Sequence, residues 1–530
     1  MNLYFFGGTL VVESKIIKGT LSLTLSTVIV KILGLIYKIP LASLLGDEGM
    51  GYFNSAYTVY AFFYLICTAG VPKAVMILTS EAKAKNEKER AVGIVRVAAI
   101  AFMLLGLFVS SLFILLANSL ARLIGNSRSA FTMVCIAPSI LFISLAGVVR
   151  GYLNAEMRLL EIAVSQVIEG VGKLAFGLLF AMIGIRLNLP LSVVSAFTIL
   201  GVTLGALAGV VYLLVCAKIK IISKKTEQKI KREGNSKIIR RILSISVPIT
   251  LSAAAMSITN VIDLILIMRG LQNNGYTESV ANSLYGNYTT LAVPMLNLAL
   301  SLITPVSIAF IPSFTQRYVK GDFEGLFSSA KNALKLTAFI TAPVTLGMFF
   351  YSREILSVLF SDSGIDVGAP LLCLLCPAIL FSSALLIVNS LLEAAGKVRA
   401  PIWSMLAGSI AKIAVSYVLI SRSDKGIMGA PIGTSVCYGI SLIIALILFV
   451  VRFKRGLPII SSFLLPLANA SVAVFISKIL YGAAIKSLSE LISLGIAILS
   501  TGLIYLLLSF LGGIISIPER KKTSKYTNFA

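Results

Sequence analysis

Apolar runs of roughly 20 residues, separated by short polar breaks, follow one another from residue 20 to residue 515. A run of that length, wound as a helix rising about 1.5 Å per residue, crosses the ~30 Å hydrocarbon core of a bilayer. About fourteen such segments can be placed: 20-44, 51-78, 91-117, 130-153, 161-186, 192-216, 242-268, 284-311, 331-351, 370-393, 400-420, 427-451, 458-482 and 488-515. Within them apolar residues cover every face, as expected of helices surrounded by lipid and by one another. The pattern predicts an all-α polytopic membrane protein with about 14 transmembrane helices.

Composition agrees: 57 % of residues are hydrophobic and the mean hydropathy is +0.95. A net charge of +24 on 530 residues could point to nucleic acid, but its placement does not. The basic residues fall in alternate loops, EAKAKNEKER after the second segment, KIKIISKKTEQKIKREGNSKIIRR after the sixth, and then QRYVKGD, GKVR, RFKRG and ERKKTSK. The intervening GDEG and LQNNGYTES are poor in Lys and Arg, although NSRS and SRSDKG carry some. The positive-inside rule therefore expects a multi-pass protein of the cytoplasmic membrane with both termini cytoplasmic, its basic skirt against anionic headgroups. MNLYFFGGTLVV lacks the basic start of a cleavable signal and reads as a short interfacial leader.

The chain repeats itself. Residues 149-174, VRGYLNAEMRLLEIAVSQVIEGVGKL, align without gaps onto 388-413, VNSLLEAAGKVRAPIWSMLAGSIAKI, matching Leu153 to Leu392, Ser165 to Ser404 and Lys173 to Lys412. KIIKGTLSLTLSTVIV at 15-30 is echoed by KIIRRILSISVPITLS at 237-252. The expected organisation is two six-helix lobes in the same orientation, 15-216 and 242-457, joined by a basic cytoplasmic linker at 217-241. Two further transmembrane helices at 458-515 and a basic cytoplasmic tail at 516-530 have no counterpart in the repeat. Pro294, Pro305 and Pro312 in one segment, and Pro248 in the seventh, remove backbone donors and expect kinks, static or hinged.

Charges inside apolar segments are expensive and so mark function by default. Lys31 and Lys38, seven residues apart in VIVKILGLIYKIPLASLLG, lie on nearly the same helix face. Glu169 and Lys173 stand at i and i+4, the spacing of a helical ion pair, whereas Lys412 has Gly408 at the matching place and reads as the freer cation. Asp263 in NVIDLILIMRG could neutralise a lysine, couple an ion or approach the interface. Arg150, Glu393 and Lys73 lie near segment ends and fit either solvated termini or substrate gates. Candidate substrate-binding residues are thus Lys31, Lys38, Lys412, Lys173, Arg150 and Lys73; candidates for ion coupling or charge pairing are Glu169, Asp263 and Glu393. A lysine-lined cavity attracts a phosphate or other anion and repels organic cations. The six cysteines read as small packing residues; Cys373 and Cys376 mimic a metal motif, but there is no second pair and no histidine, so no metal or cofactor is expected.

RGYLNAEMRLLEIAVSQVIEGVGKL, with KGTLSLTLSTVIVKILGLIYKIPLASLLG and AGVPKAVMILTSEA, resembles the stage V sporulation protein B group of polysaccharide transporters. That group lies in the multidrug/oligosaccharidyl-lipid/polysaccharide (MOP) exporter superfamily, with MurJ-type lipid II flippases as distant relatives. The resemblance spans nearly the whole chain. It implies two six-helix lobes, alternating access and export of an undecaprenyl-pyrophosphate-linked sugar or peptidoglycan precursor. It also implies that Lys31 and Lys38 stand where first-span arginines line a cationic cavity, that Tyr288 replaces a later cavity arginine, and that segments 458-515 hold a lipid tail.

The function expected is an alternating-access flippase for a lipid II-like glycan lipid, serving cell-wall, spore-cortex or polysaccharide synthesis. Its partners would be a lipid-linked anionic oligosaccharide, membrane lipid and, if ions drive it, a coupling cation, but no nucleic acid. Two other readings stay open. A cation-coupled drug or metabolite exporter would want acidic residues in the first lobe, where the first segment has none; a membrane glycosyltransferase would use Asp47 and Glu48.

Overall fold

A computed structural model describes residues 14–217, 234–360, 364–397, 399–422 and 426–512. Helix is the only regular structure among them. In chain order the helices are α1 Ser14–Thr68, α2 Val71–Ala84, α3 Lys88–Ile124, α4 Ala130–Ile136, α5 Ser139–Ala155, α6 Leu159–Arg186, α7 Leu191–Ala217, α8 Asn235–Asn273 and α9 Glu278–Asn287. They continue as α10 Val293–Val319, α11 Phe323–Phe350, α12 Ser352–Phe360, α13 Ile365–Ala394, α14 Ala400–Arg422, α15 Gly429–Phe453, α16 Ile459–Ala484 and α17 Glu490–Leu511. Among the described residues, 12 helices are long and apolar enough to cross a membrane. The N-terminal leader, most of the basic linker and the basic tail lie outside the described residues.

Each of the apolar segments falls on helix, but their ends differ from expectation in ways the backbone explains. GDEG forms no loop: Gly46 alone, at φ 61 and ψ −175, breaks α1, and helix resumes at Asp47. Only glycine enters that conformation without a Cβ penalty. The second segment is interrupted at Ala69 and Gly70, with Pro72 near the start of α2, where its missing N–H costs nothing. The fourth divides at Ala137 and Pro138 into α4 and α5. The eighth is α9 and α10 joined by one π turn, Tyr288–Ala292.

By internal contacts the chain forms two compact units. The first comprises residues 1–298, 359–375 and 402–441; the second comprises 299–358, 376–401 and 442–530. In the first, Val75, Leu78, Val95, Ala98, Phe102 and Ile242 form a core where α2, α3 and α8 meet, and Val149, Leu153, Ile162 and Leu213 form another between α5, α6 and α7. In the second, α16 and α17 pack on α11 through Ala342, Ala470, Ala473 and Tyr505, and Tyr505 Oη donates to the Phe339 carbonyl at 2.9 Å. Large side chains such as Leu115, Phe475 and Leu499 face outward. Such surface suits hydrocarbon, and the protein is a multi-pass membrane protein.

The duplication has a backbone signature. Left-handed residues occur at Gly125 and Gly364 (φ 76 and 69) and again at Met157 and Gly396 (φ 57 and 78). Each pair is separated by the same number of positions as the 149-174 and 388-413 repeat. The turn joining α5 to α6 thus has its counterpart between α13 and α14.

Candidate functional site

Two glycine-based contacts set the position of the first unit's charges. A Cβ on Gly205 would lie 2.6 Å from the Glu169 carbonyl, and one on Gly201 would lie 2.9 Å from that of Lys173. Helices α6 and α7 therefore meet backbone to backbone, and that closeness fixes where Glu169 and Lys173 project. Across from them, Phe53, Tyr57, Tyr60 and Tyr64 follow one another at helical spacing on α1, with neighbouring ring centroids 5.7–6.3 Å apart. The Lys173 ammonium sits 4.7 Å from the Tyr57 ring centroid and 5.4 Å from that of Tyr37. Cation–π attraction holds it there without neutralising it.

Lys38 is anchored differently. Its Nζ donates to the Thr289 carbonyl at 2.9 Å, inside the π turn. In an i→i+5 turn that carbonyl would look to residue 294 for a donor, and Pro294 has none. The proline thus leaves an acceptor exposed for the lysine to take. Neighbouring bonds fasten this turn and the end of α9 to α1: Asn54 Nδ2 donates to Thr290 Oγ1 of the turn at 2.8 Å, and Thr58 Oγ1 and Tyr285 Oη of α9 share a hydrogen at 2.9 Å. Lys38 follows Tyr37, whose ring the Lys173 ammonium approaches, so the two lysines share one neighbourhood. Among the described residues neither has a carboxylate within ion-pair distance.

The acids are engaged elsewhere. Glu169 does not pair with Lys173, as the i,i+4 spacing suggested; Arg150 Nη2 reaches Glu169 Oε2 at 2.8 Å from the end of α5. The guanidinium arrives from a neighbouring helix with its donors already fixed in a fork, while Lys173 turns onto the tyrosines. Lys412 is not the freer cation: its Nζ meets Asp263 Oδ2 at 2.9 Å, with side-chain exposures of 9 % and 11 %. Sequence spacing could not show this, because the acid comes from α8 and the lysine from α14. Asp263 thus stands as a neutraliser of a lysine, one of the roles open to it.

Of the remaining candidates, Lys31 lies in α1 with its side chain outside the described residues. Lys73 is exposed on α2, and Glu393 is exposed at the end of α13 in the second unit. Tyr288 is buried, its hydroxyl 3.1 Å from Thr434 Oγ1. The structure therefore gathers Lys38, Lys173, Arg150 and Glu169 in one region of the first unit and sets Lys412 with Asp263 in another; Lys73 and Glu393 join neither. Sequence reading missed the aromatic row, although its 53, 57, 60, 64 spacing was there to find, and it missed the Thr289 carbonyl, which only the π turn frees. All six cysteines are free thiols, and no group of three potential metal ligands occurs among the described residues.

This architecture is that of MurJ- and MATE-type transporters. A solved lipid II flippase MurJ in an inward closed conformation superposes with a TM-score of 0.72 at 18 % identity, over 92 % of this chain and 98 % of that one. The chain belongs to the polysaccharide biosynthesis protein family, whose model matches residues 16–317, and the MatE model matches 289–418 within the same MOP superfamily. It is 24 % identical over 515 residues to the stage V sporulation protein B of Bacillus subtilis (strain 168), covering 96 % of this chain and 97 % of that one. It is 22 % identical over 456 residues to that organism's lipid II flippase MurJ, covering 81 % and 83 %.

Proposed function

We propose that this protein is an alternating-access flippase that carries an undecaprenyl-diphosphate-linked glycan or peptidoglycan precursor across the cytoplasmic membrane. The observation that carries the reading is the pair of lysines, Lys38 and Lys173, set in apolar helices with no carboxylate within ion-pair distance among the described residues. Two lysines in one neighbourhood without a carboxylate partner favour a multiply charged anion, and a diphosphate has both the charge and the acceptor oxygens to engage them. The names of the relatives, a lipid II flippase and a sporulation protein, support the same substrate class and a role in cell-wall, spore-cortex or polysaccharide synthesis.

In this reading Lys38 and Lys173 hold the diphosphate, and Lys31, seven positions before Lys38 in the sequence, is a third candidate. The tyrosine row offers flat apolar and hydroxyl surface to a sugar. Arg150 and Glu169 hold α5 to α6 beneath it. The lobes are 15-216 and 242-457, linked through 217-241, with 458-515 as an appended pair for the polyprenyl tail and both termini cytoplasmic. Lys73 and Glu393 lie outside the binding residues. An inside-negative potential drives the anionic headgroup outward. A cation-coupled exporter of organic cations fits less well, because the charges around the tyrosine row are predominantly positive.

The deciding experiment is trans-bilayer movement of a fluorescent undecaprenyl-diphosphate sugar in proteoliposomes. Movement in the native protein that disappears in Lys38→Ala and Lys173→Ala, with folding intact, supports the assignment. No movement under an imposed potential and ion gradients, with folding intact, would overturn it.

A further inference from the structure

Near its start, α8 touches the bend between α1 and α2. A Cβ on Gly70 would collide with the Ser246 carbonyl, and Arg241 Nη2 meets Glu81 Oε2 of α2 at 2.7 Å. Beside this contact a groove of about 600 Å³ runs between α1, α3 and α8, with Phe62, Phe102, Leu105, Val247, Leu251 and Ile258 in its wall. Val247, Leu251 and Ile258 are exposed, so the groove opens sideways from the bundle. None of the residues around Lys38 and Lys173 lines it.

The wall is graded along α8. Ser246 and Thr250 bring hydroxyls to the part nearest the helix start, and from Leu251 onward the α8 residues that line it are all apolar. Arg240 comes three positions before Leu243 and seven before Val247, which puts it on the same face of the helix. Unlike Arg241 it is exposed, and it has no carboxylate within ion-pair distance among the described residues. Cation, hydroxyls and apolar wall therefore follow one another in the order of a phospholipid's phosphate, esters and chain. The charge rule expects this end of α8, next to the basic linker, on the cytoplasmic side, where anionic headgroups are enriched.

We propose that this groove seats an anionic phospholipid of the cytoplasmic leaflet, its phosphate on Arg240 and one acyl chain along Val247, Leu251 and Phe102. A zwitterionic lipid offers the same chain, so the arginine sets the preference. One basic residue near the membrane surface contributes ~1 kcal/mol toward an anionic lipid, which corresponds to about fivefold in affinity. The seated lipid touches α1 and α3 from the first half of the repeat and α8 from the second. Its binding is independent of what Lys38 and Lys173 carry.

The test is tryptophan quenching by chain-brominated lipids, with the full-length protein in phosphatidylcholine nanodiscs. Trp403 is the single tryptophan, so Trp403→Phe gives a dark background in which Leu251→Trp reports from the groove and Phe475→Trp from an exposed face of α16. Leu251 is 65 % exposed, which leaves room for the larger ring. Brominated phosphatidylglycerol is expected to quench Leu251→Trp with about fivefold the affinity of brominated phosphatidylcholine. Adding Arg240→Gln is expected to bring the two within about twofold, while Phe475→Trp responds to both alike. Equal quenching by the two lipids at Leu251→Trp would overturn the proposal and leave ordinary boundary lipid. So would a preference that survives Arg240→Gln. So would displacement of brominated phosphatidylglycerol by an equimolar undecaprenyl-diphosphate sugar, which would make the groove a lane for the transported tail. If Leu251→Trp does not fold, Val247→Trp on the same face takes its place and is read by the same criteria. Because transport is not measured, failure here is separable from failure of the flippase reading.

Discussion

Replacing Lys173 with glutamine removes a positive charge while keeping most of the side chain's length and a donor. In the apo protein the loss is modest, because the ammonium makes no ion pair and rests on two tyrosine rings; such contacts contribute about 0.5–2 kcal/mol each. Toward a diphosphate the loss is larger. A charge-assisted hydrogen bond contributes about 1.5–3 kcal/mol, and the bare Coulomb term at 4 Å and an effective dielectric of 20 is about 4 kcal/mol, an upper bound because water reaches this side chain. A working value of about 2 kcal/mol corresponds to roughly 30-fold in affinity. The assay is binding of an undecaprenyl-diphosphate sugar to the protein in nanodiscs, with Lys173→Arg as the charge-preserving control and the uncharged polyprenol as the ligand control. Lys173→Gln should weaken the diphosphate by about that factor and leave the polyprenol unchanged. An affinity within about twofold of the native value, in a variant that keeps its fold, would refute the claim that this lysine meets the anion.

Three other perturbations test the framework around it. Gly205→Val places a branched side chain against the Glu169 carbonyl and should cost about 1–3 kcal/mol in stability, with substrate binding weakened as α6 moves off α7; chemical denaturation and binding report the two effects. Arg150→Ala should destabilise by about 1–2 kcal/mol, below the value for a fully buried pair because the Glu169 side chain keeps 31 % exposure, and adding Glu169→Gln should recover part of it in a double-mutant cycle. Met157→Gly relieves a left-handed backbone that Gly396 adopts freely in the other half and should raise the unfolding midpoint, by about 1 kcal/mol in stability; a lower midpoint would contradict that account of the turn.

The spans were legible because a bilayer imposes one rule, about twenty apolar residues per crossing, on every helix alike. The repeat was legible because Leu153, Ser165 and Lys173 recur in register with Leu392, Ser404 and Lys412, and the left-handed turns at Met157 and Gly396 keep that register in the backbone. Partners of the charged residues were a different matter. Periodicity tells which face a lysine occupies but not how neighbouring helices are rotated, so Glu169 could be matched only with a residue on its own helix, and Arg150 was passed over. Asp263 and Lys412, brought together from α8 and α14, carried no mutual signal at all. The Gly46 break was hidden for a local reason: a loop was read where one glycine sufficed.

The bond from Lys38 to the Thr289 carbonyl bears on the timing of any transport cycle. A lysine held by a carboxylate must strand an anion when it lets go, whereas a backbone carbonyl is left neutral and can be rehydrated by a single water. Exchange of the tether for an arriving phosphate is therefore a swap of acceptors with a low threshold. Because the same carbonyl belongs to a turn also fastened to α1 by Asn54, arrival of the headgroup would loosen one of the clasps between α1 and the π turn, coupling occupancy to the next movement without a separate trigger.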